Sequence, residues 1–162
     1  MKAAEAEKTL AFLNGQLPNL KKELESAEGR FNQFRGEKKV FDLGSEAQAL
    51  LQQGTGLQVR RQELQQKRQE LLARFTEEHP AVKAIDAQIK ELSSQVTALE
   101  SRTRQFPGIE RELLRLTRDV KVNNELYTGV LNSLQQLRLR TCLRALRSST
   151  RSPSRASDRK SV

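Results

Sequence analysis

Three stretches of the chain carry apolar residues at alternating steps of three and four, which is the heptad pattern of helices that pack side by side. The first stripe comprises Leu10, Leu13, Leu17, Leu20, Leu24, Ala27, Phe31 and Phe34. The second comprises Val82, Ile85, Ile89, Leu92, Val96, Leu99, Thr103 and Phe106. The third comprises Ile109, Leu113, Leu116, Val120, Asn123, Tyr127, Val130, Leu134 and Leu137. Each stripe predicts a long helix with one packing seam.

Prolines interrupt these stripes at three points. The first stripe stays in phase across Pro18, which predicts a kink rather than a break. Pro80 stands at the start of the second stripe, where a proline suits the first turn of a helix. At Pro107 the stripe slips by one residue, because Phe106 and Ile109 are three apart where a step of four is due. We therefore predict hinges at Pro18, Pro80 and Pro107.

The pattern between the first and second stripes is weaker. Residues 36–46 predict a connector, with Ser45 as the N-cap of the next helix. Beyond it Leu50, Leu57, Leu64 and Leu71 recur every seven residues, with Gly54, Arg61 and Arg68 at the intervening seam positions. A glycine costs a helix about 1 kcal/mol relative to alanine. The second predicted helix is therefore the weakest.

These patterns predict an all-α fold, an elongated coiled-coil helical hairpin or bundle. The predicted coiled-coil region covers residues 1–138, with helices at about 5–35, 46–76, 80–106 and 108–138. Composition agrees, because 36% hydrophobic and 30% charged residues suit helices that each bury one narrow stripe. Asn123 and Tyr127 stand at seam positions. Tyr127 is expected to pack in the core, whereas Asn123 either sets the helix register from a buried position or lies at an exposed edge.

The net charge of +9 is concentrated in the last part of the chain. From Arg138 onward the chain has seven arginines and Lys160 but only one acidic residue, Asp158. In residues 1–137 the numbers of basic and acidic residues are nearly equal. Residues 139–162 are predicted to form an Arg/Ser-rich disordered tail, although a short helical continuation to about Arg147 is compatible with the sequence. Such a tail can neutralise phosphates of nucleic acid or of an anionic membrane. Without interleaved aromatics or a nucleic-acid module, nucleic acid is not a favoured partner.

The residues offer little material for catalysis or for a cofactor. There is no phosphate-binding glycine loop, and the chain has one histidine, His79, and one cysteine, Cys142. His79 is expected to be an exposed turn residue. We therefore predict no catalytic, cofactor-binding or metal-binding residues and no enzymatic activity of this chain alone. No apolar run is long enough for a transmembrane helix, and the first residues do not form a signal peptide.

Four blocks in order carry a further signal: 10–28 (LAFLNGQLPNLKKELESAE), 41–51 (FDLGSEAQALL), 75–82 (FTEEHPAV) and 110–127 (ERELLRLTRDVKVNNELY), the last continuing to 134–138 (LQQLR). Together they resemble the periplasmic helical region of bacterial polysaccharide co-polymerases. This is the chain-length determinant and tyrosine autokinase family of exopolysaccharide and capsule export. The resemblance covers residues 5–138, with the block at 110–127 its most specific part.

The resemblance implies a structural and assembly role in exopolysaccharide chain-length determination and export. In that family the region stands in the periplasm between two transmembrane helices, within an oligomer that governs polymer length. It implies inner-membrane, periplasmic-facing localisation, a homo-oligomer formed through helix packing, and the polysaccharide export machinery as partner. Both transmembrane helices and the kinase domain are absent from this sequence, and a Gly-Asn-Val-Arg-type segment expected after Arg138 is replaced by the basic tail. The chain is therefore expected to be a truncated fragment.

Alternatives remain open on the residues alone. One is a cytosolic coiled-coil scaffold whose basic tail binds nucleic acid. Another is the periplasmic hairpin of an export adaptor, although the lipoyl-like β segments that normally flank it are missing. We also predict that residues from about Leu139 are not the natural continuation of the family sequence, as a shifted reading frame would produce. A genuine basic tail is the alternative to that prediction.

Overall fold

The computed structural model describes residues 2–38 and 42–150 and contains four helices within them. These are α1 (Lys2–Lys38), α2 (Ser45–Leu72), α3 (Pro80–Thr103) and α4 (Gly108–Ser149). Helices account for 90% of the described residues, and no strand occurs among them. The all-α prediction is therefore confirmed. At about 1.5 Å per residue, the 37 residues of α1 span roughly 55 Å, so the helices are long.

Helices α1 and α4 form one antiparallel pair. Phe31, near the end of α1, lines a cleft with Leu113, near the start of α4. Leu20, in the middle of α1, lies in one apolar cluster with Leu126, further along α4. The pairing therefore runs in opposite directions along the two helices.

Helices α2 and α3 form a second antiparallel pair. Near the start of α2, Gly54 faces Leu99, which lies near the end of α3. Near the end of α2, Arg68 hydrogen-bonds Asp86, which lies near the start of α3. A turn of seven residues, 73–79, connects the two helices.

Helix α2 also packs against α4, and these two helices run parallel. Gly44, just before α2, lies beside Glu110 in the first turn of α4. Gly54, further along α2, lies beside Arg118, further along α4. Helix α2 therefore joins the two pairs, because one of its faces contacts α3 and another contacts α4.

The three predicted hinge prolines occupy two kinds of position. Pro18 lies inside α1, which continues as one helix from Lys2 to Lys38. Pro80 is the first residue of α3, and Pro107 is the N-cap residue of α4. Pro80 and Pro107 therefore stand at the joints between helices, where a missing backbone N–H costs nothing.

The N-cap of α2 differs from the sequence prediction by one residue. Gly44 is the N-cap, with φ −60° and ψ 161°, and Ser45 is the first helical residue. No side chain caps this end, although Gln48 Nε2 donates a hydrogen bond of 3.1 Å to the carbonyl oxygen of Leu43. Glycine is an accepted N-cap residue, so the serine is not required in that role.

Helix α4 continues through the basic segment that was predicted to be disordered from residue 139. It ends at Ser149, and residues 139–149 are fully helical. The helical continuation to about Arg147, which the sequence left open, is present and reaches Ser149. Leucine, alanine and arginine all favour helix, even where no apolar face is buried. The rest of the predicted tail, residues 151–162, lies outside the described residues.

Candidate assembly surfaces

A cluster of buried apolar residues joins α1 to α4. Its members, called here the α1–α4 cluster, are Leu20, Val122, Leu126, Val130 and Leu134. All five side chains are buried, and Leu134 is only 2% exposed. Partly buried residues that pack against the cluster are Leu10, Leu13, Leu17, Val59 and Tyr127. Val59 belongs to α2, so α2 also contacts this cluster.

The predicted seam residues divide into two groups. Those that are buried are Leu20, Ile85, Leu92, Val96, Leu99, Leu113, Leu116 and Leu134. Those that are half-buried are Leu10, Leu13, Leu17, Leu24, Phe31, Ile89, Val120, Asn123 and Tyr127. None of these side chains is fully exposed, so each contributes to a packing surface or to its edge.

The middle of α4 buries residues that the heptad pattern missed. Val122 and Leu126 are 6% and 5% exposed, whereas Val120, Asn123 and Tyr127 are only half-buried. A heptad seam serves one neighbouring helix, but α4 has two, with α2 beside its first turns and α1 along most of its length. The buried face of α4 is therefore wider than one heptad seam, and its position rotates gradually around the helix axis. Apolar residues at steps of four, from residue 122 to residue 134, indicate this rotation in the sequence.

Gly54 allows the closest approach between α2 and its neighbours. A Cβ atom added at this position would lie 2.9 Å from Leu99 Cδ2 and 3.5 Å from Arg118 Cδ. Thr55, the next residue, is 4% exposed, and its hydroxyl donates a 2.7 Å hydrogen bond to the Leu51 carbonyl oxygen. The glycine that seemed to weaken this helix thus lets α3 and α4 pack closely on it.

Two arginines place part of their guanidinium groups inside these contacts. The Nε atoms of Arg61 in α2 and Arg118 in α4 are buried and have no hydrogen-bond partner among the described residues. Both side chains are half-buried overall, so their aliphatic parts fill space between helices. Arg61 occupies a seam position where leucine would be expected, and its long stem takes the place of an apolar side chain.

Ion pairs join the helices at the end that holds the turn between α2 and α3. Arg68 in α2 hydrogen-bonds the carboxylate of Asp86 in α3, and this bond is the main cause that raises the pKa of the Arg68 guanidinium. Arg74 in the turn lies 3.4 Å from Glu5 in α1 and 4.0 Å from Glu70 in α2. Exposed ion pairs of this kind contribute little free energy of folding. They nevertheless favour the arrangement in which the start of α1, the end of α2 and the start of α3 lie together.

Helices α1 and α2 otherwise meet across a polar cleft of about 670 Å³. Its walls carry mainly amide side chains, including Gln16, Gln62, Gln65, Gln66 and Gln69. Amides can hydrogen-bond to water or to each other but supply no apolar seam. The contact between α1 and α2 is therefore looser than the three contacts α1–α4, α2–α3 and α2–α4.

His79 caps α3 rather than lying as a plain exposed turn residue. Its Nδ1 atom accepts a 3.1 Å hydrogen bond from the backbone N–H of Ala81. Its ring stacks on Phe75, with 4.1 Å between centroids and 23° between planes. Together with Pro80 at the first helical position, this arrangement starts α3 at a defined residue. Sequence reasoning missed the cap because histidine is not among the commonest N-cap residues.

Replacing His79 by alanine is expected to lower the free energy of unfolding by about 1 kcal/mol, since the Ala81 N–H loses its acceptor. Urea unfolding followed by circular dichroism at 222 nm measures the change. His79→Asn is the control, because its side-chain oxygen can accept the same hydrogen bond. If His79→Ala and His79→Asn unfold at the same urea concentration, the cap has no energetic role.

Charged side chains on the first turns of α4 pair within the helix. Arg115 donates two hydrogen bonds to the Glu112 carboxylate, one of 3.1 Å from Nε, and lies 3.8 Å from Asp119. The hydrogen bonds from Arg115 are the main cause that lowers the pKa of Glu112, and they raise the pKa of Arg115 in turn. These groups stabilise an exposed helix face.

The last turns of α4 expose apolar side chains. Leu139, Leu143 and Leu146 are 64%, 60% and 64% exposed. Cys142, beside them in sequence, is exposed with a free thiol. This segment is the most apolar surface on α4 that no described residue covers.

The described residues offer no obvious place for a metal ion or for crossing a bilayer. No three histidine, cysteine, aspartate or glutamate side chains within residues 2–38 and 42–150 are grouped closely enough to hold a metal. None of the four helices is both long enough and apolar enough to span a membrane.

The structure is a segment of long helices that pack along apolar seams. Helices α2 and α4 each contact two of the other helices. A protein-family model described as "GNVR: G-rich domain on putative tyrosine kinase" matches residues 108–145, which lie within α4. This match reaches beyond Arg138, where the resemblance in the sequence was taken to end.

Comparison with curated proteins identifies relatives along most of the chain. The "Putative tyrosine-protein kinase EpsB" of Ralstonia solanacearum is 50% identical over 138 residues, which is 85% of this chain and 18% of that protein. The tyrosine-protein kinase ptk of Acinetobacter johnsonii is 38% identical over 138 residues, 85% of this chain and 19% of that protein. The tyrosine-protein kinase wzc of Salmonella typhimurium is 36% identical over 138 residues, again 85% of this chain and 19% of that protein. The chain thus spans about a fifth of the length of these relatives.

These matches confirm the resemblance predicted from the sequence. Over 138 residues the chain is similar to one segment of these bacterial tyrosine-protein kinases of the polysaccharide co-polymerase family. The match to the family model lies within α4.

Proposed function

We propose that this chain is a structural and assembly segment of an exopolysaccharide chain-length determination and export protein. The observation that carries the proposal is the 50% identity to EpsB along 85% of the chain, with the family domain on the helix that contacts both α1 and α2. Apart from Thr55, the buried side chains of the described residues are apolar, so in this proposal the segment acts by holding helices together. Its place in this proposal is the periplasmic face of the inner membrane.

The proposal includes self-assembly through a groove on the outer side of the α2–α3 pair. This groove has a volume of about 870 Å³ and is floored by Leu57, Leu64 and Leu92. Its rim carries amides and one ion of each sign, Arg60 and Glu91. Leu57 and Leu64 are half-buried between polar rims, which suits a helix from a second copy that would cover them.

A chimera tests the role in polymer production. Residues 2–138 of this chain replace the matching segment of EpsB in a Ralstonia solanacearum strain that lacks its own copy, and the length of secreted exopolysaccharide is measured by size-exclusion chromatography. Because the segment is expected to be interchangeable with its relative, the chimera should restore polymer of normal length. A chimera that is present at normal abundance but yields no polymer would contradict the proposal.

Paired variants of the same chimera test the groove. Leu57→Glu combined with Leu64→Glu is expected to shorten the polymer and to reduce cross-linking between copies, because two charges would be buried in the contact. Gln53→Glu combined with Gln95→Glu is the control, since both residues line the rim. Equal polymer length and equal cross-linking in the two variants would exclude the groove as the contact between copies.

A further inference from the structure

The exposed leucines at the end of α4 form a regular stripe. Leu139, Leu143 and Leu146 are spaced by four and three residues, and each is at least 60% exposed. The only other large apolar side chains that are comparably exposed in the described residues are Phe75 and Ile109. The stripe is therefore a continuous apolar surface along the last three turns of the helix.

This stripe faces away from the seam with α1. A helix turns about 100° per residue, so Leu143, nine residues after the buried Leu134, lies on the opposite side of α4. Helix α1 covers the side that carries Val130 and Leu134. An extension of the α1–α4 contact would therefore leave the leucine stripe uncovered.

The flanks of the stripe are positively charged. Arg138, Arg140, Arg144 and Arg147 are all exposed, and none forms an ion pair with another described residue. By the same helical rotation, Arg140 and Arg147 flank one side of the stripe and Arg138 the other. No acidic residue occurs between Glu125 and Asp158. Leucines on one face with arginines on both flanks form the pattern of a helix that lies in a membrane interface.

Charge selects among the possible occupants. A second copy of this segment would bring two sets of four arginines together without an acid to pair with them. Nucleic acid would satisfy the arginines through its phosphates but would leave the leucines in water. An anionic bilayer surface satisfies both, because its headgroups pair with arginine and its acyl boundary accepts leucine.

We propose that residues 138–149 bind the surface of an anionic phospholipid bilayer. The helix lies in the plane of the interface, with its leucine stripe towards the acyl chains and its arginines at the headgroup phosphates. This inference goes beyond the proposed function, because it concerns a surface that the seams do not use and a ligand that polymer export does not require.

The single cysteine provides a direct probe. Cys142 is exposed and lies about 60° around the helix from Leu139, so an environment-sensitive fluorophore on its thiol reports the polarity beside the stripe. The labelled full chain is mixed with vesicles of phosphatidylcholine alone or with added phosphatidylglycerol, and flotation measures the bound fraction. We expect a blue shift and flotation only with phosphatidylglycerol, both decreasing as salt is raised.

Three variants separate the contributions. Replacement of Leu139, Leu143 and Leu146 by serine is expected to reduce the vesicle affinity about tenfold or more, because the apolar part of binding is lost. Replacement of Arg140, Arg144 and Arg147 by glutamine is expected to weaken the preference for phosphatidylglycerol, because three of the eight basic residues from Arg138 onward are lost. The control, Gln136→Ser with Thr141→Ser, is expected to bind as the unchanged chain does. Because all these side chains are exposed, the three variants and the unchanged chain should melt at the same temperature, which excludes misfolding as the cause.

Two results would overturn the inference. If the serine variant binds vesicles as tightly as the unchanged chain and also retains its affinity for a DNA fragment, the segment is a general polyanion binder. If sedimentation equilibrium shows that the leucines drive self-association while no variant binds vesicles, the stripe contacts a second copy. Neither result bears on polymer length in the EpsB chimera, so failure here is distinct from failure of the proposed function.

Discussion

Leu20→Asp is expected to lower the free energy of unfolding by about 4 kcal/mol, enough to remove the cooperative melting transition at ordinary temperatures. Leu20 is 5% exposed and is the one buried residue that α1 contributes to the α1–α4 cluster. A carboxylate there would lose the contact with the apolar Val122, Leu126 and Val130 and most of its hydration, although Leu20 also borders the polar cleft between α1 and α2. Thermal and urea unfolding, followed by circular dichroism at 222 nm, measure the effect.

The neighbouring residue supplies the matched control. Lys21 is exposed, so Lys21→Asp introduces the same side chain one position away without burying it. Its effect is expected to stay within about 0.5 kcal/mol. If the two variants melted at the same temperature, Leu20 would not be part of a buried seam, and the assignment of α1 to α4 would have to be abandoned.

Gly54→Leu is expected to destabilise the chain by about 2 kcal/mol, although leucine is intrinsically a better helix former than glycine. The new side chain would occupy space already held by Leu99 Cδ2, 2.9 Å from the added Cβ, and by Arg118. Helix α3 or helix α4 would have to move away from α2. Urea unfolding gives the change in free energy, and loss of the close Gly54–Leu99 contact can be followed by nuclear Overhauser effects.

Gly56→Leu is the comparison, two residues further along the same helix. A Cβ atom at Gly56 would meet nothing within 4 Å, so only the gain in helix propensity remains. We expect Gly56→Leu to stabilise the chain by about 0.5 to 1 kcal/mol. The two glycine variants should thus change stability in opposite directions. Stabilisation by both would mean that α3 does not pack closely on α2 at this position.

The sequence predicted much of the fold because its signals were local. Heptad stripes predicted the all-α class, and the prolines at 80 and 107 stand where helices begin. The predictions of buried residues failed where they depended on how many neighbouring helices a helix has. Val122 and Leu126 were missed because a heptad template assumes a single partner, whereas α4 touches two helices. Gly54 was interpreted as destabilising α2. Its stabilising role depends on the close approach of α3 and α4, which the sequence of α2 does not show.

The surfaces for assembly were harder to predict than the helices. The seam residues are all at least half-buried except Ile109, which is 51% exposed, but the groove on the α2–α3 pair follows from how the helices are arranged and not from any one stripe. The sequence left open whether α4 continues beyond Leu139, and the structure shows that it does. Composition indicated a tail without a core, yet a helix of arginine, leucine and alanine can form without burying a face.

The antiparallel course of α1 and α4 has a mechanical consequence. The first turns of α1 and the region of α4 around Leu134 lie at the same end, where the ion pair between Arg74 and Glu5 also holds the turn between α2 and α3. The two remaining connectors, before α2 and before α4, meet at the opposite end, where Gly44 lies beside Glu110. If this unit were held at the end that contains Glu5 and Leu134, the opposite end would lie roughly 40 Å away, the rise of the 29 residues from Leu10 to Lys38. A sideways force would then displace that opposite end most.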